Sequence, residues 1–317
     1  VVLATPTQAM ATPSDSPHAY VANSGSNTVS VINTDNNTVI DTIPVGTAPA
    51  QVAITKGFDS RAYVTNQFSN NVSVIDTDSN TVIDTIPVGN RPVGVAITED
   101  LFHPRAYVTN QFSNNVSVID TDSNTVIDTI PVGNRPVGVA ITGGFHPRAY
   151  VTNVRSDNVS MIDTDNNTVI DTIPVGNNPI GVAITRGFHP RAYVTNAGSD
   201  NVSVIDTDNN TVIDTIPVGN NPIGVAITGD LFHPRAYVTN ALSDTVSVID
   251  TDSNTVIDTI PVGNVPFGVA IVKDLFHPRA YVTNSFSNTV SVIDTDSNTV
   301  VDTIPVGSVP IGVDAER

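Results

Sequence analysis

The chain has no cysteine and no tryptophan, and only two of its 317 residues are glutamate, Glu99 and Glu316. Without cysteine there is no disulfide, no thiolate nucleophile and no Cys-ligated zinc. Basic residues are scarce: 13 Lys and Arg stand against 31 Asp and Glu, a formal charge of −18. That surface repels double-stranded nucleic acid and anionic membranes alike. No apolar run approaches the ~20 residues of a membrane-spanning helix. Aromatic residues make up 5% of the chain and leucine is rare, which argues against leucine-rich solenoids. No Walker loop, dinucleotide fingerprint, Gly-x-Ser-x-Gly elbow or His-Glu-x-x-His motif occurs.

What the chain does contain is Val, Ile and Thr, punctuated by Gly and Pro at regular intervals. All seven tyrosines (Tyr20, Tyr63, Tyr107, Tyr150, Tyr193, Tyr237 and Tyr281) recur at a spacing of 43 or 44 residues, and residues 62–98 are identical to residues 106–142. One unit holds four short β-branched runs: 93–97, 106–110, 116–119 and 125–130. Four strands per ~40–45 residues is the size of a propeller blade. The expected fold is therefore all-β, a single seven-bladed β-propeller with four antiparallel strands per blade. The Gly- and Ala-rich first run suits the crowded axis, and the Asp and Pro of the fourth run suit an exposed edge. The chain enters on a second strand, 18–23, and ends on a first strand, 310–314, so the C-terminal strand is expected to close the ring. Residues 18–317 form the propeller. Residues 1–17 read as an N-terminal extension, a signal-peptide remnant with cleavage after Ala9, with an extra strand at 1–3 as the alternative.

Ala-Tyr-Val-Thr-Asn stands at 62–66, 106–110, 149–153, 192–196, 236–240 and 280–284. It leads into Val-Ser-Val-Ile-Asp, as at 72–76, and Asp-Thr-Ile-Pro-Val-Gly, as at 84–89. With these segments the chain resembles the YVTN family of β-propeller repeat proteins over roughly 18–313. The first repeat departs at Ala22 and Asn33. The resemblance implies a surface-layer-type or exported protein and does not by itself imply an enzyme. The wider seven-bladed class includes lactonases, lyases and haem or quinone enzymes.

The six histidines are His18, His103, His146, His189, His233 and His277, and five stand in a Phe-His-Pro-Arg turn. One per blade, they are spread round a ring and read as turn residues rather than a convergent catalytic set. Asp-x-Asp-x-Asn, as at 76–80, has part of a calcium loop's spacing but lacks the glycine and distal Glu, so it reads as a polar hairpin. The meander places the Arg of each His-Pro-Arg on the same face as these aspartates. No catalytic residue, metal site or cofactor is expected.

The repeats vary most in the loops between strands two and three and between strand four and the next blade, on the opposite face. There Phe68, Arg91, Phe112, Arg135, Arg155, Leu242 and Phe286, with Phe267 near the axis, form the candidate binding surface. The leading expectation is a non-catalytic, secreted or cell-surface scaffold, a monomer that binds a protein or glycan through this rim. The alternatives are a lyase- or lactonase-type enzyme with its site at the axial mouth, and an anion or single-stranded nucleic-acid binder using the Arg/Phe sector.

Overall fold

The computed structural model describes residues 17–56, 59–98, 103–228, 233–272 and 278–316. The expected signal remnant, Glu99 and His277 fall outside these ranges. The described chain forms seven four-stranded antiparallel sheets. Blade 2 is representative, with strands Pro49–Ile54, Arg61–Asn66, Asn71–Asp76 and Thr81–Pro87 in spatial order. Blades 3 to 7 repeat this order. Blade 1 takes its innermost strand, Pro310–Ala315, from the C-terminus and adds His18–Asn23, Thr28–Asn33 and Thr38–Pro44. The fold and its closure are as the repeats predicted.

Strand position explains composition. The second and third strands are covered on both faces by neighbouring blades, so Tyr63, Val64, Val72, Val74 and Ile75 are fully buried. Between blades 2 and 3, Tyr63, Val72, Val74 and Ile86 pack against Val95, Ala106, Val108 and Ile119. Each such Val or Ile contributes about 1.5–3 kcal/mol through its burial. The fourth strand is exposed except for one Ile, such as Ile130. Its register shifts between Val118 and Ile119 of the third strand, leaving Ile127 without a partner. A bulge on the outermost strand turns that edge away from pairing with another chain.

Every residue of the Tyr-Val-Thr-Asn segment has a mechanical task. Tyr63 donates from its phenol to Asn124 Oδ1 of blade 3 at 2.8 Å. Val64 fills the inter-blade core. Thr65 Oγ1 donates to the carbonyl of Val93, on the innermost strand of blade 3, at 2.7 Å. Asn66 Nδ2 donates within its own blade, to Asn71 Oδ1 and Ser73 Oγ, both at 2.9 Å. The acceptor Asn124 has φ +53°, a left-handed conformation that asparagine tolerates better than other side-chain-bearing residues. At the axis, a Cβ on Gly138 would lie 2.2 Å from the Ile180 carbonyl oxygen of the next blade, so only glycine permits this approach.

The two ends of the chain meet in blade 1. Tyr20 pairs with Asp314 and Val21 with Val313. Glu316 N donates to the His18 carbonyl at 2.9 Å, and His18 N donates to Glu316 Oε2 at 2.9 Å.

Candidate functional site

The face of the His-Pro-Arg turns is a repeated polar surface. Arginine and aspartate share this face as expected, with a division of labour between histidine and arginine. It is histidine that meets the aspartate: His103 Nδ1 lies 2.9 Å from Asp122 Oδ2, and His233 Nδ1 2.9 Å from Asp252 Oδ2. The arginine reaches instead to the next blade, with Arg61 Nη1 donating to the Thr121 carbonyl at 2.9 Å. The Asp-x-Asp-x-Asn segments are Asx turns: Asp76 Oδ1 accepts from both the amide and the hydroxyl of Ser79. Those bonds hold the Asp76 carboxyl below the usual carboxylate range. Among the described residues, no three His, Asp or Glu side chains converge as metal ligands.

The axis is where the repetition breaks. Seven innermost strands enclose a channel of about 570 Å³. Six of the seven carry Gly at the third strand position, and blade 2 carries Gln51. Six carry Ala at the fifth position, and blade 1 carries Asp314. Both departures fall on the seam between blades 1 and 2. Asp314 Oδ2 accepts from the Ile54 amide across that seam at 3.0 Å. Gln51 Oε1 lies against Gly312, 2.8 Å from where a Cβ would stand. The second-strand threonine is also missing here. Ala22 replaces it, so the Ala50 carbonyl lacks the threonine hydroxyl that its counterparts receive. At the mouth, Thr55, Lys56, Thr142, Thr185 and Arg186 line the opening. Gly144 and Gly187, at φ +105° and +122°, also border it, and the Phe145 and Phe188 that follow them are fully exposed. These axial residues escaped the sequence reading, which compared the loops of the repeats. The same comparison along the first-strand positions isolates Gln51 and Asp314.

On the opposite rim, the structure brings five of the expected residues into one row. Arg91 Cζ lies 5.8 Å from the Phe68 ring centroid and 4.8 Å from that of Phe112, and Arg135 Cζ lies 5.5 Å from Phe112. Arg135 and Arg155 line a shallow depression of about 400 Å³ with Gln111, Phe112, Asn114 and Asn134. Phe68 and Phe112 are well exposed rather than tucked over their blades. Leu242 and Phe286 are exposed on blades 6 and 7, outside this row. Phe267 is half-buried on the innermost strand of blade 7, where its carbonyl accepts from Thr239 Oγ1.

No family model matches the chain, and no curated protein matches it in sequence. Solved structures do. A functionally unknown protein from Desulfotomaculum acetoxidans superposes with a TM-score of 0.80 at 19% identity, over 95% of this chain and 99% of that one. Hydrazine synthase of Kuenenia stuttgartiensis gives 0.76 at 22% identity, over 92% and 99%. Dihydro-heme d1 dehydrogenase NirN, in complex with DHE, gives 0.68 at 14% identity, over 95% of this chain and 66% of that one.

The chain is a seven-bladed β-propeller. Identities this low establish the shared fold and no more. The expectation of a non-catalytic protein- or glycan-binding scaffold is corrected all the same: a synthase and a dehydrogenase share this fold, so a regular ring of blades is no argument against catalysis. That expectation took regular repetition as the mark of a scaffold and looked for function only in variable loops. A ring of near-identical blades can also frame a single asymmetric centre at its axis.

Proposed function

We propose that the chain is a propeller enzyme whose active centre is the axial channel, with Asp314 as its proton-transferring group. The observation that carries this reading is the coincidence of Gln51, Asp314 and Ala22 on one seam of an otherwise repeated ring. A carboxylate on the wall of the axial channel is suited to general acid–base work, and the Ile54 amide fixes its orientation. Gln51 supplies an amide able to donate to or accept from a bound substrate. Lys56 and Arg186, which line the mouth, favour a small anionic substrate. Proton removal next to a carboxylate, as in lyases, or from the water that attacks the carbonyl and opens a lactone ring, as in lactonases, fits this set. Similarity in fold to a synthase and a dehydrogenase supports an enzyme and does not select the reaction. The Tyr-Val-Thr-Asn segments support grouping the chain with YVTN-type propellers, and an exported location is part of the same proposal.

The test is turnover of a panel of small hydroxy acids and lactones by the native chain, by Asp314→Asn and by Gln51→Gly. Asp314→Asn should lower the rate about 10²–10⁴-fold, the usual weight of a general acid or base. Equal turnover by Asp314→Asn and the native chain would refute the assignment.

A further inference from the structure

The rim row Phe68–Arg91–Phe112–Arg135–Arg155 lies at the end of the ring away from the axial mouth, and the axial chemistry does not use it. Two features of its construction bear on what it can hold. The first is backbone conformation. The loop that joins consecutive blades holds one residue at positive φ, between 51° and 55°, at Ala48, Arg91, Arg135, Asn178, Asn221, Val265 and Val309. Blades 5 and 6 are entered through asparagine, which suits this geometry. Arg91 and Arg135 do not, and a residue with an ordinary Cβ there costs about 1 kcal/mol.

The second is the arrangement of charge. The backbone amide of each of these residues donates to one side chain in the preceding loop. Where the amide belongs to Asn178, Asn221 or Val265, the acceptor is a carboxylate: Asp157, Asp200 or Asp244. Where it belongs to Arg91 or Arg135, the acceptor is the neutral Asn70 or Asn114, at 2.8 and 2.9 Å, as it is the neutral Asn27 or Asn288 for Ala48 and Val309. Both residue types make the same bond, so the bond does not require the amide. Beside Arg91 and Arg135 this position therefore carries no carboxylate. Among the described residues, Arg91, Arg135 and Arg155 make no ion pair, on a chain of charge −18.

We infer that this row binds single-stranded nucleic acid, phosphates on the three guanidiniums and bases beside the exposed Phe68 and Phe112. Alternating aromatic rings and arginines are the general means of holding an unpaired strand without reading its sequence. Gln67 Oε1 accepts from Arg91 Nε at 3.1 Å, which orients that guanidinium and leaves its outer edge for a phosphate. Gln111, Asn114 and Asn134 edge the depression with amides. The acidic remainder of the molecule restricts binding to this sector and opposes a bulky duplex.

The probe is a dye-labelled oligothymidylate, followed by fluorescence anisotropy at two salt concentrations. Three phosphate contacts to a single strand predict a slope of log K against log salt of about −2, or about fifteen-fold weaker binding between about 50 and 200 mM salt. Arg91→Gln/Arg135→Gln/Arg155→Gln should weaken binding at least about tenfold and flatten that slope. Asn70→Asp/Asn114→Asp keeps the backbone bond and adds a carboxylate beside each arginine. It should also weaken binding while leaving the unfolding midpoint in place. Binding that neither variant alters overturns the inference, as does the absence of binding by the native chain. Tighter binding of polygalacturonate than of the oligonucleotide also overturns it, in favour of a carboxylated glycan. Asp314→Asn should bind the oligonucleotide as the native chain does, so failure here is separable from failure of the axial proposal.

Discussion

Tyr281 donates its phenolic proton to Asn37 Oδ1 over 2.7 Å, although 244 residues separate them. The contact joins blade 7 to blade 1, and its equivalent joins every other neighbouring pair, from Tyr20–Asn80 to Tyr237–Asn298. Seven copies of one bond run round the ring.

Removing one such hydroxyl should therefore cost a definite, modest amount. Tyr281→Phe keeps the buried ring and loses one hydrogen bond, so urea unfolding should show a loss of about 0.5–1.5 kcal/mol. Asn37→Ala should cost more than Asn37→Gly, because Asn37 sits at φ +56° and glycine alone relieves that conformation.

The tyrosines also predict an alkaline titration. Burial pushes the phenols of Tyr63, Tyr107, Tyr150, Tyr193, Tyr237 and Tyr281 up to about 12. Burial raises Tyr20 too, with Glu316 adding to the effect. The unfolded value is about 10. A raised folded value means stability that is complete below pH ~10 and lost as pH climbs toward ~12. Absorbance at the phenolate band should stay flat through pH ~10 and then rise together with the loss of β-sheet circular dichroism. An ordinary titration centred near pH ~10 in the folded protein would contradict the burial of these phenols.

Deletion of residues 309–317 should lower the melting temperature by more than about 5 °C, since it removes a whole strand and at about 2–4 °C per kcal/mol that is a small estimate. Glu316→Gln, which keeps the length but weakens the contact with His18, should give a much smaller shift.

Ala22→Thr should stabilise the protein. Six equivalent threonines already fit this environment, each donating to the next blade's innermost strand, as Thr109 does to Val137 at 2.7 Å. The new hydroxyl would supply the Ala50 carbonyl, for a gain of about 1 kcal/mol in urea unfolding. If the substitution destabilises instead, Gln51 occupies the space that threonine needs.

The blade was legible because its physics is local. Strand length, β-branching, turn asparagines and the exposed Asp and Pro of the fourth strand are all written within one repeat, and closure followed from which strand each end carries. The partners of Tyr63, Arg61 and Thr65 were not legible, because each reaches into the next blade and no single repeat contains both ends of the bond. The axial site was missed for a different reason. Gln51 and Asp314 lie 263 residues apart, at the two ends of the repeat array, and only ring closure sets them on one seam. The rim residues were found because the repeats differ from one another in those loops. That Asn70 and Asn114 hold the amides of Arg91 and Arg135 where Asp157 and Asp200 hold those of Asn178 and Asn221 became visible only in the structure.

Near-identical blades raise a problem of counting. Any blade offers its neighbour the same tyrosine, threonine and apolar surface, so a growing chain could dock with a blade skipped or accept a blade from another molecule. The terminal pairing of His18 with Glu316 and of Tyr20 with Asp314 differs from every internal junction. It acts as an address, telling the last strand which blade is the first and making a ring of the wrong number distinguishable from the right one.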